Sequence, residues 1–248
     1  MAKKWRNKPE RELCTYCGSA ICGDDVTRDH VIARRWYPDS TAANIQKPWV
    51  LSCKACNNRK SYLEQQTFVG LALCVDPKSV AAAGIYERAK LSFNPAATDD
   101  PREQQARRAF RDQIVSRMGT TTSEIREGTL PSFAANYAKG SRTTLRINAN
   151  ELNELVCMWA KGFHRRAWGA PLVAGASVEK FFISENAAVA AFKETLGRWS
   201  GFDGGPGVRV NFLGGTDGQS RATVFRFQLW GAFVAYANID ESEAGIAA

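Results

Sequence analysis

The stretch that decides the fold spans residues 14–60. It opens with Cys14-Thr15-Tyr16-Cys17-Gly18, passes through Thr27-Arg28-Asp29-His30-Val31-Ile32, and closes with Cys53-Lys54-Ala55-Cys56-Asn57-Asn58-Arg59-Lys60. Two Cys-x-x-Cys pairs therefore enclose an Asp-His pair, and an asparagine with basic residues follows the second pair. Two thiolates at this spacing can reach one metal ion, and a glycine after the first pair allows a tight turn. The spacing predicts one metal site built from both pairs.

The predicted ligands are the four cysteines of the two pairs: Cys14, Cys17, Cys53 and Cys56. Four thiolates complete a tetrahedral zinc site and leave no position for water, so we expect a structural Zn²⁺. Cys22 is a competing ligand, but the two pairs are favoured because both have knuckle spacing. Cys74 and Cys157 lie in apolar sequence and are expected in the core.

The net charge of the chain indicates which classes of partner it favours. The chain has 248 residues, with 33 lysines and arginines against 25 aspartates and glutamates, which gives a net charge of +8 and a pI near 9.2. A basic surface favours a polyanion because each phosphate contact releases counterions. A solvated basic surface without a ligand explains the same charge. The charge therefore admits nucleic acid as a partner without requiring it.

The cysteine count and the distribution of apolar residues bear on the cellular compartment of the protein. Seven cysteines are an odd number, whereas a secreted disulfide framework usually has an even number in a shorter chain. The first six residues lack the apolar run of a signal peptide. No run of about 18 uncharged apolar residues would cross a membrane. We expect a cytoplasmic protein without membrane contact, in which paired cysteines hold metal.

Residue patterns between and after the cysteine pairs predict a hairpin followed by a helix. Residues 26–32 have the β-branched content of a strand, and residues 50–52 are its expected partner. From Asn57 to Phe68 the apolar residues recur at helical spacing. A metal ion would stabilise a unit this small.

The sequence after residue 68 predicts further helices and strands, from patterns that are weaker than those of the first segment. Helices are expected at 68–75, 79–93, 101–118, 150–163 and 185–196, with Asn148 or Asn150 as a cap. Strands are expected at 145–147, 181–183, 208–213 and 222–237, a linker at 119–129, turns at 201–207 and 214–218, and a mobile acidic tail at 240–243.

In their order along the chain, these features resemble the HNH nucleases, members of the His-Me (ββα-metal) finger group. The resemblance covers roughly residues 10–68, about a quarter of the chain. It rests on the paired Cys-x-x-Cys motifs, an Asp-His at a strand end, a mid-loop asparagine, and Cys-Asn-x-x-Lys at a helix start. Each motif alone would be weak, whereas the four in this order are fairly specific.

The resemblance implies a catalytic site with three members. His30 fills the position of the general base, and neutral imidazole suits that role because its ordinary pKa lies near working pH. Asp29 and Asn57 match the residues that bind one divalent metal in the family. Hard oxygen ligands suit Mg²⁺ or Mn²⁺. The expected activity is metal-dependent hydrolysis of phosphodiester bonds.

Three further residues receive roles from the same resemblance. Asn44 matches the asparagine that holds the loop and orients the histidine, although the loop at 34–49 lacks the usual glycines. Arg59 and Lys60 are expected to face phosphates, with Lys60 the better match. DNA is the expected substrate, with RNA as the open alternative, and antiviral defence or restriction in a bacterium or phage is the expected setting.

The expected fold class is α+β in three parts. The zinc-braced ββα HNH unit takes residues 10–68, a helical region takes 69–125, and a C-terminal α+β domain of unassigned role takes 140–240. That last region would select the target, form a homodimer or bind a regulatory partner, and the sequence does not choose among these.

One competing hypothesis is a non-catalytic zinc-ribbon module that binds nucleic acid. In that case Asp29 and His30 form a hydrogen-bonded pair at a strand end. The second histidine, His164, is explained by the expected end of a helix, where a cation is favoured by the helix dipole.

Overall fold

The computed structural model describes residues 11–121, 142–172, 176–181, 200–217 and 220–241. Its helices are α1 (Lys54–Ala72), α2 (Ile85–Phe93), α3 (Pro101–Ser116) and α4 (Ala149–Trp168). Its strands are β1 (Glu12–Leu13), β2 (Ala20–Ile21), β3 (Val26–His30), β4 (Trp49–Cys53), β5 (Met118–Thr121), β6 (Arg142–Leu145), β7 (Ser177–Phe181), β8 (Ser200–Asp203), β9 (Val208–Asp217), β10 (Ser220–Leu229) and β11 (Phe233–Asp240). The expected α+β class is confirmed.

The N-terminal unit is the predicted hairpin followed by a helix. Strands β3 and β4 pair antiparallel, with Val26 opposite Cys53 and His30 opposite Trp49. Helix α1 starts directly after β4, three residues earlier than predicted. The reason is that Cys53 caps it, because the Cys53 thiol accepts a hydrogen bond from the Cys56 amide.

The middle of the chain is helical, as predicted. Asp100 caps α3, with a proline at its first position. Phe110 and Ile114 are buried on one side of α3, whereas Met118 is 45% exposed and belongs to β5. The expected linker at 119–129 is a strand through Thr121, and its remainder lies outside the described residues.

The C-terminal sheet has five antiparallel strands in the order β7-β11-β10-β9-β8. The prediction of a tight loop at 214–218 is wrong for Gly214 and Gly215, which pair with Thr223 and Ala222 as β9 continues to Asp217. The expected turn at 201–207 is a strand up to Asp203. Long-range strand pairing outweighs the turn preference of glycine at these positions.

Other expectations in this half have mixed outcomes. Asn148 caps α4, because its side chain accepts hydrogen bonds from the first-turn amides of Asn150 and Glu151. The apolar run at 222–237 forms two strands separated by a turn at Trp230. The expected strand at 181–183 shares only Phe181 with β7, and the expected helix at 185–196 lies outside the described residues.

Aromatic residues join the N-terminal unit to the C-terminal sheet. Trp36 follows the hairpin strand β3, and its ring lies 5.6 Å from Phe68 of α1, 5.1 Å from Trp159 of α4 and 5.3 Å from Trp230 of the β10–β11 turn. The indole N–H of Trp230 also donates to the Trp36 carbonyl at 2.7 Å. One buried apolar cluster therefore crosses the three segments expected at 10–68, 69–125 and 140–240.

Among the described helices, none has both the length and the apolar character needed to cross a membrane.

Candidate active site

The four predicted cysteines meet at one point. The sulfur atoms of Cys14, Cys17, Cys53 and Cys56 all lie within 4.8 Å of one another, and the Cys17 and Cys53 sulfurs are 4.0 Å apart. Zinc–sulfur bonds of about 2.3 Å give a tetrahedron with sulfur–sulfur edges of about 3.8 Å. The donor set and spacing therefore fit a structural zinc ion. Cys22 is exposed and lies outside this group, so the four predicted cysteines are the ones that could hold one metal ion together.

Backbone amides hold these sulfurs in place. The Cys53 amide donates to the Cys14 sulfur, and the Cys56 amide donates to the Cys53 sulfur, both at 3.3 Å. The first knuckle turns at Gly18, whose φ is +73° and whose amide donates to the Cys14 carbonyl at 2.9 Å. Such donors stabilise thiolate charge, which is the form that binds zinc.

The metal-free thiols differ in acidity. Burial raises the pKa of Cys14. Burial acts in the same direction on Cys17, but hydrogen bonds with Ser19, Cys14 and Cys56 together outweigh it and lower that pKa to about 7. Cys17 is the exposed member of the group. Zinc binding would therefore displace a proton from Cys14, whereas Cys17 is already partly ionised at neutral pH.

His30 ends strand β3 and is half-buried. Its Nε2 atom accepts a hydrogen bond of 2.8 Å from Nε of Arg34, four residues later. Burial lowers the pKa of His30 and the positive charge of Arg34 lowers it further, against the opposing effect of the Pro48 and Lys47 carbonyls. The ring is therefore neutral near pH 7, which is the state that accepts a proton.

Asp29 points to the other face of the hairpin, because adjacent strand residues alternate. It is 8% exposed, and its Oδ2 atom accepts a 2.5 Å hydrogen bond from the hydroxyl of Tyr16, inside the first Cys-x-x-Cys pair. The Lys60 ammonium lies 3.3 Å from the same carboxylate. The first Cys-x-x-Cys turn and helix α1 therefore both hold Asp29.

Lys60 is fully buried, which differs from the predicted phosphate contact. Its ammonium donates to the His30 carbonyl at 2.7 Å and to Glu64 Oε1 at 2.8 Å. Glu64 also accepts from the Ala33 amide at 3.1 Å. Burial raises the pKa of Glu64, and the Lys60 charge opposes this. The physical reason for the difference is that α1 packs this face on β3, where two carboxylates neutralise the ammonium.

Arg59 points away from Lys60 and towards α4. Its guanidinium forms a two-pronged contact with Glu154, at 2.8 Å from Nε to Oε1 and 2.5 Å from Nη2 to Oε2. Both side chains remain more than 40% exposed, so this pair stabilises the structure little. In the conformation described, the predicted phosphate ligand joins two helices instead.

The two remaining asparagines lie in different settings. Asn57 is half-buried in the first turns of α1, three residues before Lys60 and so on a neighbouring part of the same face. Lys60 contacts two carboxylates, those of Asp29 and Glu64, so oxygen donors besides the Asn57 amide lie beside this helix. Asn44 is exposed in the loop before β4, and the hydrogen bond described for His30 comes from Arg34, not from Asn44.

The second histidine is not at a helix end. Helix α4 continues to Trp168, and the His164 side chain is fully buried against the C-terminal sheet. Its Nδ1 atom lies 3.2 Å from the Thr223 hydroxyl and its Nε2 atom lies 3.4 Å from Glu241. Glu241 in turn pairs with Arg221. The segment expected as a mobile acidic tail therefore starts with the last residue of β11 and continues with a buried, paired carboxylate, Glu241.

Sequence reasoning missed three residues that contact the site: Tyr16, Arg34 and Glu64. Lys60 and Glu64 are an i, i+4 pair of opposite charge, and that signal was present in the sequence. Tyr16 and Arg34 carry no such signal, because a knuckle residue and an arginine in a basic loop are usually solvated.

In comparisons with known proteins, no protein-family model, no curated protein and no solved structure matches the chain. The functional interpretation therefore depends on the residues and contacts described above.

Proposed function

We propose that this protein is a metal-dependent HNH endonuclease that hydrolyses phosphodiester bonds, with DNA as the preferred nucleic acid. The observation that carries the proposal is the ββα unit closed by four cysteines, with the neutral His30 at the end of its first long strand. In this arrangement the acceptor nitrogen of His30 adjoins an exposed arginine, where a phosphate can approach.

In the proposed reaction His30 acts as the general base. Its Nε2 lone pair removes a proton from the attacking water, a step typically worth about 10²–10⁴-fold in rate. The burial that lowers its pKa keeps the ring neutral and ready for this step. Nε2 accepts from Arg34 in the structure, so the reaction requires Arg34 to release it.

A divalent metal is part of the proposal. Asp29 and Asn57 would hold Mg²⁺ or Mn²⁺, which would stabilise negative charge on the phosphate and the leaving oxygen. Tyr16 and Lys60 each use one lone-pair position of the Asp29 carboxylate, which has about four. Their contacts fix the orientation of Asp29 and leave it further acceptor positions.

The surface beside His30 supports a nucleic-acid substrate. Trp49 lies opposite His30 on β4 and is 39% exposed, and the Arg28 guanidinium lies 4.5 Å from the Trp49 ring centroid. Cations and an exposed aromatic ring suit phosphates and bases respectively. The net charge of +8 acts in the same direction. Defence against foreign DNA is the setting we propose for such an activity.

A second candidate is a non-catalytic zinc module that binds nucleic acid. The observation that favours it is the buried contact set of Asp29, whose carboxylate is held by Tyr16 and Lys60 as a structural group would be. This candidate shares the zinc site with the first and differs at His30, which would then have no role in chemistry.

Cleavage of supercoiled plasmid separates the two. We expect wild-type protein to cut with Mg²⁺ or Mn²⁺ and to stop with a chelator that leaves the thiolate-bound zinc in place. His30→Ala should reduce the rate by at least about 100-fold, while zinc content and DNA binding stay unchanged. The chain has two histidines, so His164→Gln is the matched control and should cut normally at a temperature where it is folded.

The same experiment has clear contrary results. If His30→Ala cuts at the wild-type rate, the catalytic assignment is wrong. If the wild type binds DNA, contains zinc and cuts with none of the divalent metals, the zinc-module candidate replaces the endonuclease.

A further inference from the structure

Two adjacent arginines after β3 have opposite environments. The Arg35 guanidinium lies 4.2 Å from the Phe68 ring centroid and donates to the Ser92 hydroxyl at 2.8 Å, so it is held within the fold. Arg34 is exposed, and its described hydrogen bond runs to His30 Nε2 at 2.8 Å. One cation is therefore structural, and the other is placed on the proposed general base.

The contact determines which ring nitrogen carries the proton. A guanidinium is a donor at every nitrogen and never an acceptor, so His30 Nε2 must be unprotonated when Arg34 donates to it. The neutral ring then carries its proton on Nδ1, a buried atom that lies near the Pro48 and Lys47 backbone without meeting hydrogen-bond geometry. The nitrogen left with a lone pair is the one directed at Arg34 and the surrounding surface.

The same contact blocks the lone pair until something displaces the arginine. A phosphate oxygen is a charged acceptor, and a guanidinium binds it more strongly than it binds a neutral imidazole. The planar guanidinium can also bind two phosphate oxygens at once. A phosphodiester arriving beside His30 is therefore the group that would take Arg34 from Nε2.

We infer that Arg34 is a positioning residue that holds His30 in the Nδ1-protonated tautomer and then exchanges Nε2 for a substrate phosphate. The exchange frees the correct nitrogen for the attacking water only when a phosphate is present. This role rests on the proposed endonuclease function, but the tautomer and the phosphate contact can each be measured without cleavage.

The first test is nitrogen NMR of the histidine rings at a pH where both are neutral. The protein has two histidines, and the His164→Gln variant assigns their signals. We expect wild-type His30 to carry its proton on Nδ1, and Arg34→Ala to show a substantial population protonated on Nε2. Arg28→Ala removes a different exposed arginine two residues before His30 and should leave the tautomer unchanged. A wild-type ring protonated on Nε2 would refute the tautomer assignment, whether or not the protein cuts DNA.

The second test is the salt dependence of binding to a duplex oligonucleotide. Loss of one phosphate contact should reduce the slope of log K against log salt by about 0.9 in Arg34→Ala. An unchanged slope would rule out the phosphate exchange. The decrease should be smaller in Arg34→Lys, because an ammonium still contacts phosphate as a point charge.

The third test separates positioning from binding by kinetics. We expect Arg34→Ala to lower kcat by about 10-fold or more at saturating substrate as well as raising KM, and added guanidinium ion to restore part of kcat. A rise in KM alone would reduce Arg34 to a phosphate ligand without a positioning role. If the wild type does not cut at all, the endonuclease proposal fails. The NMR test of the tautomer and the salt-dependence test of binding still decide the role of Arg34.

Discussion

The two histidines of this chain lie in contrasting regions. His30 is at the end of β3, half-buried, with its Nε2 atom held by an exposed arginine. His164 is fully buried between α4 and the C-terminal sheet, where its neighbours are the Thr223 hydroxyl and the Glu241 carboxylate. The first region can receive a ligand, whereas the partners of the second are all internal.

Acidity does not distinguish the two regions. Burial is the main cause of a lowered pKa in both, and a nearby arginine adds to it in both, Arg34 for His30 and Arg221 for His164. A shifted pKa therefore does not identify a catalytic group by itself. What differs is access: the contact of His30 can be exchanged for a ligand, and the contacts of His164 cannot.

The largest expected effect tests how strongly the buried Lys60 ion pairs stabilise the His30 region. Lys60→Met removes the cation between Asp29 and Glu64 and leaves two buried carboxylates without their partner. We expect the free energy of unfolding to fall by about 3–5 kcal/mol, measured by urea denaturation of the zinc-loaded protein. The removed contact with the His30 carbonyl should also reduce cleavage.

Lys54→Met is the control, because Lys54 is an exposed lysine at the start of the same helix. It should change stability by less than about 0.5 kcal/mol.

Arg221→Met tests the corresponding ion pair of the His164 region, and it should lower the free energy of unfolding by less than Lys60→Met does. The reason is that His164 can take up a proton and partly neutralise Glu241. Equal losses of stability in Lys60→Met and Arg221→Met would contradict this difference between the two regions.

The second prediction concerns the contact that joins α4 to the strand of His30. A Cβ added at Gly162 would lie 2.6 Å from Cγ1 of Val31, the residue after His30. Gly162→Ala should therefore destabilise the protein by about 1–3 kcal/mol through overpacking. Gly70 in α1 is the matched site, because its added Cβ would have its nearest contact at 3.4 Å, with Ile147.

For Gly70→Ala we expect a thermal midpoint that is unchanged or higher, since alanine favours a helix by about 0.5–1 kcal/mol over glycine. Thermal denaturation of both variants measures the difference. Tolerance of Gly162→Ala would show that α4 does not press on the segment carrying His30.

The smallest expected effect is the pH dependence of stability from His164. Because its pKa is lowered in the folded protein, the unfolded chain binds a proton at about pH 6.5 while the folded chain does not. Stability should therefore fall as the pH drops below about 6.5, by at most about 1.4 kcal/mol per pH unit from this group. His30 contributes in the same direction.

His164→Gln should reduce this slope without removing it, and a double variant with His30→Ala should reduce it further. Denaturation midpoints between pH 7 and pH 5 provide the measurement. A slope unaffected by His164→Gln would mean that this ring is protonated in the folded protein, in an ion pair with Glu241.

Part of the site was predictable because its signals are local. The cysteine spacing identified four candidate ligands whose sulfur atoms do come together, and the hairpin and helix between and after them are confirmed. The location of Lys60 was not predictable, because its burial depends on a carboxylate 31 residues earlier in the chain and on the packing of α1. Gly214 and Glu241 were misjudged for a similar reason: a distant strand and a distant arginine determine their surroundings.

The sequence also suggested separable parts, and the tertiary structure joins them. Trp36, near the proposed site, packs on Trp159 and Trp230 from the C-terminal half. A fragment covering residues 1–70 would expose these apolar surfaces, so it is a poor test of whether the C-terminal half regulates the proposed nuclease activity.

By itself, the sequence determined the two Cys-x-x-Cys pairs as candidate metal ligands, the ββα order and the place of His30 at a strand end, because each of these motifs depends on residues close together in the chain. Only the tertiary structure decided that Lys60 is buried beneath Asp29, that Arg34 holds His30 Nε2, and that the second histidine is enclosed. Burial and ion pairing depend on which faces pack together, and residues far apart in the chain determine that packing.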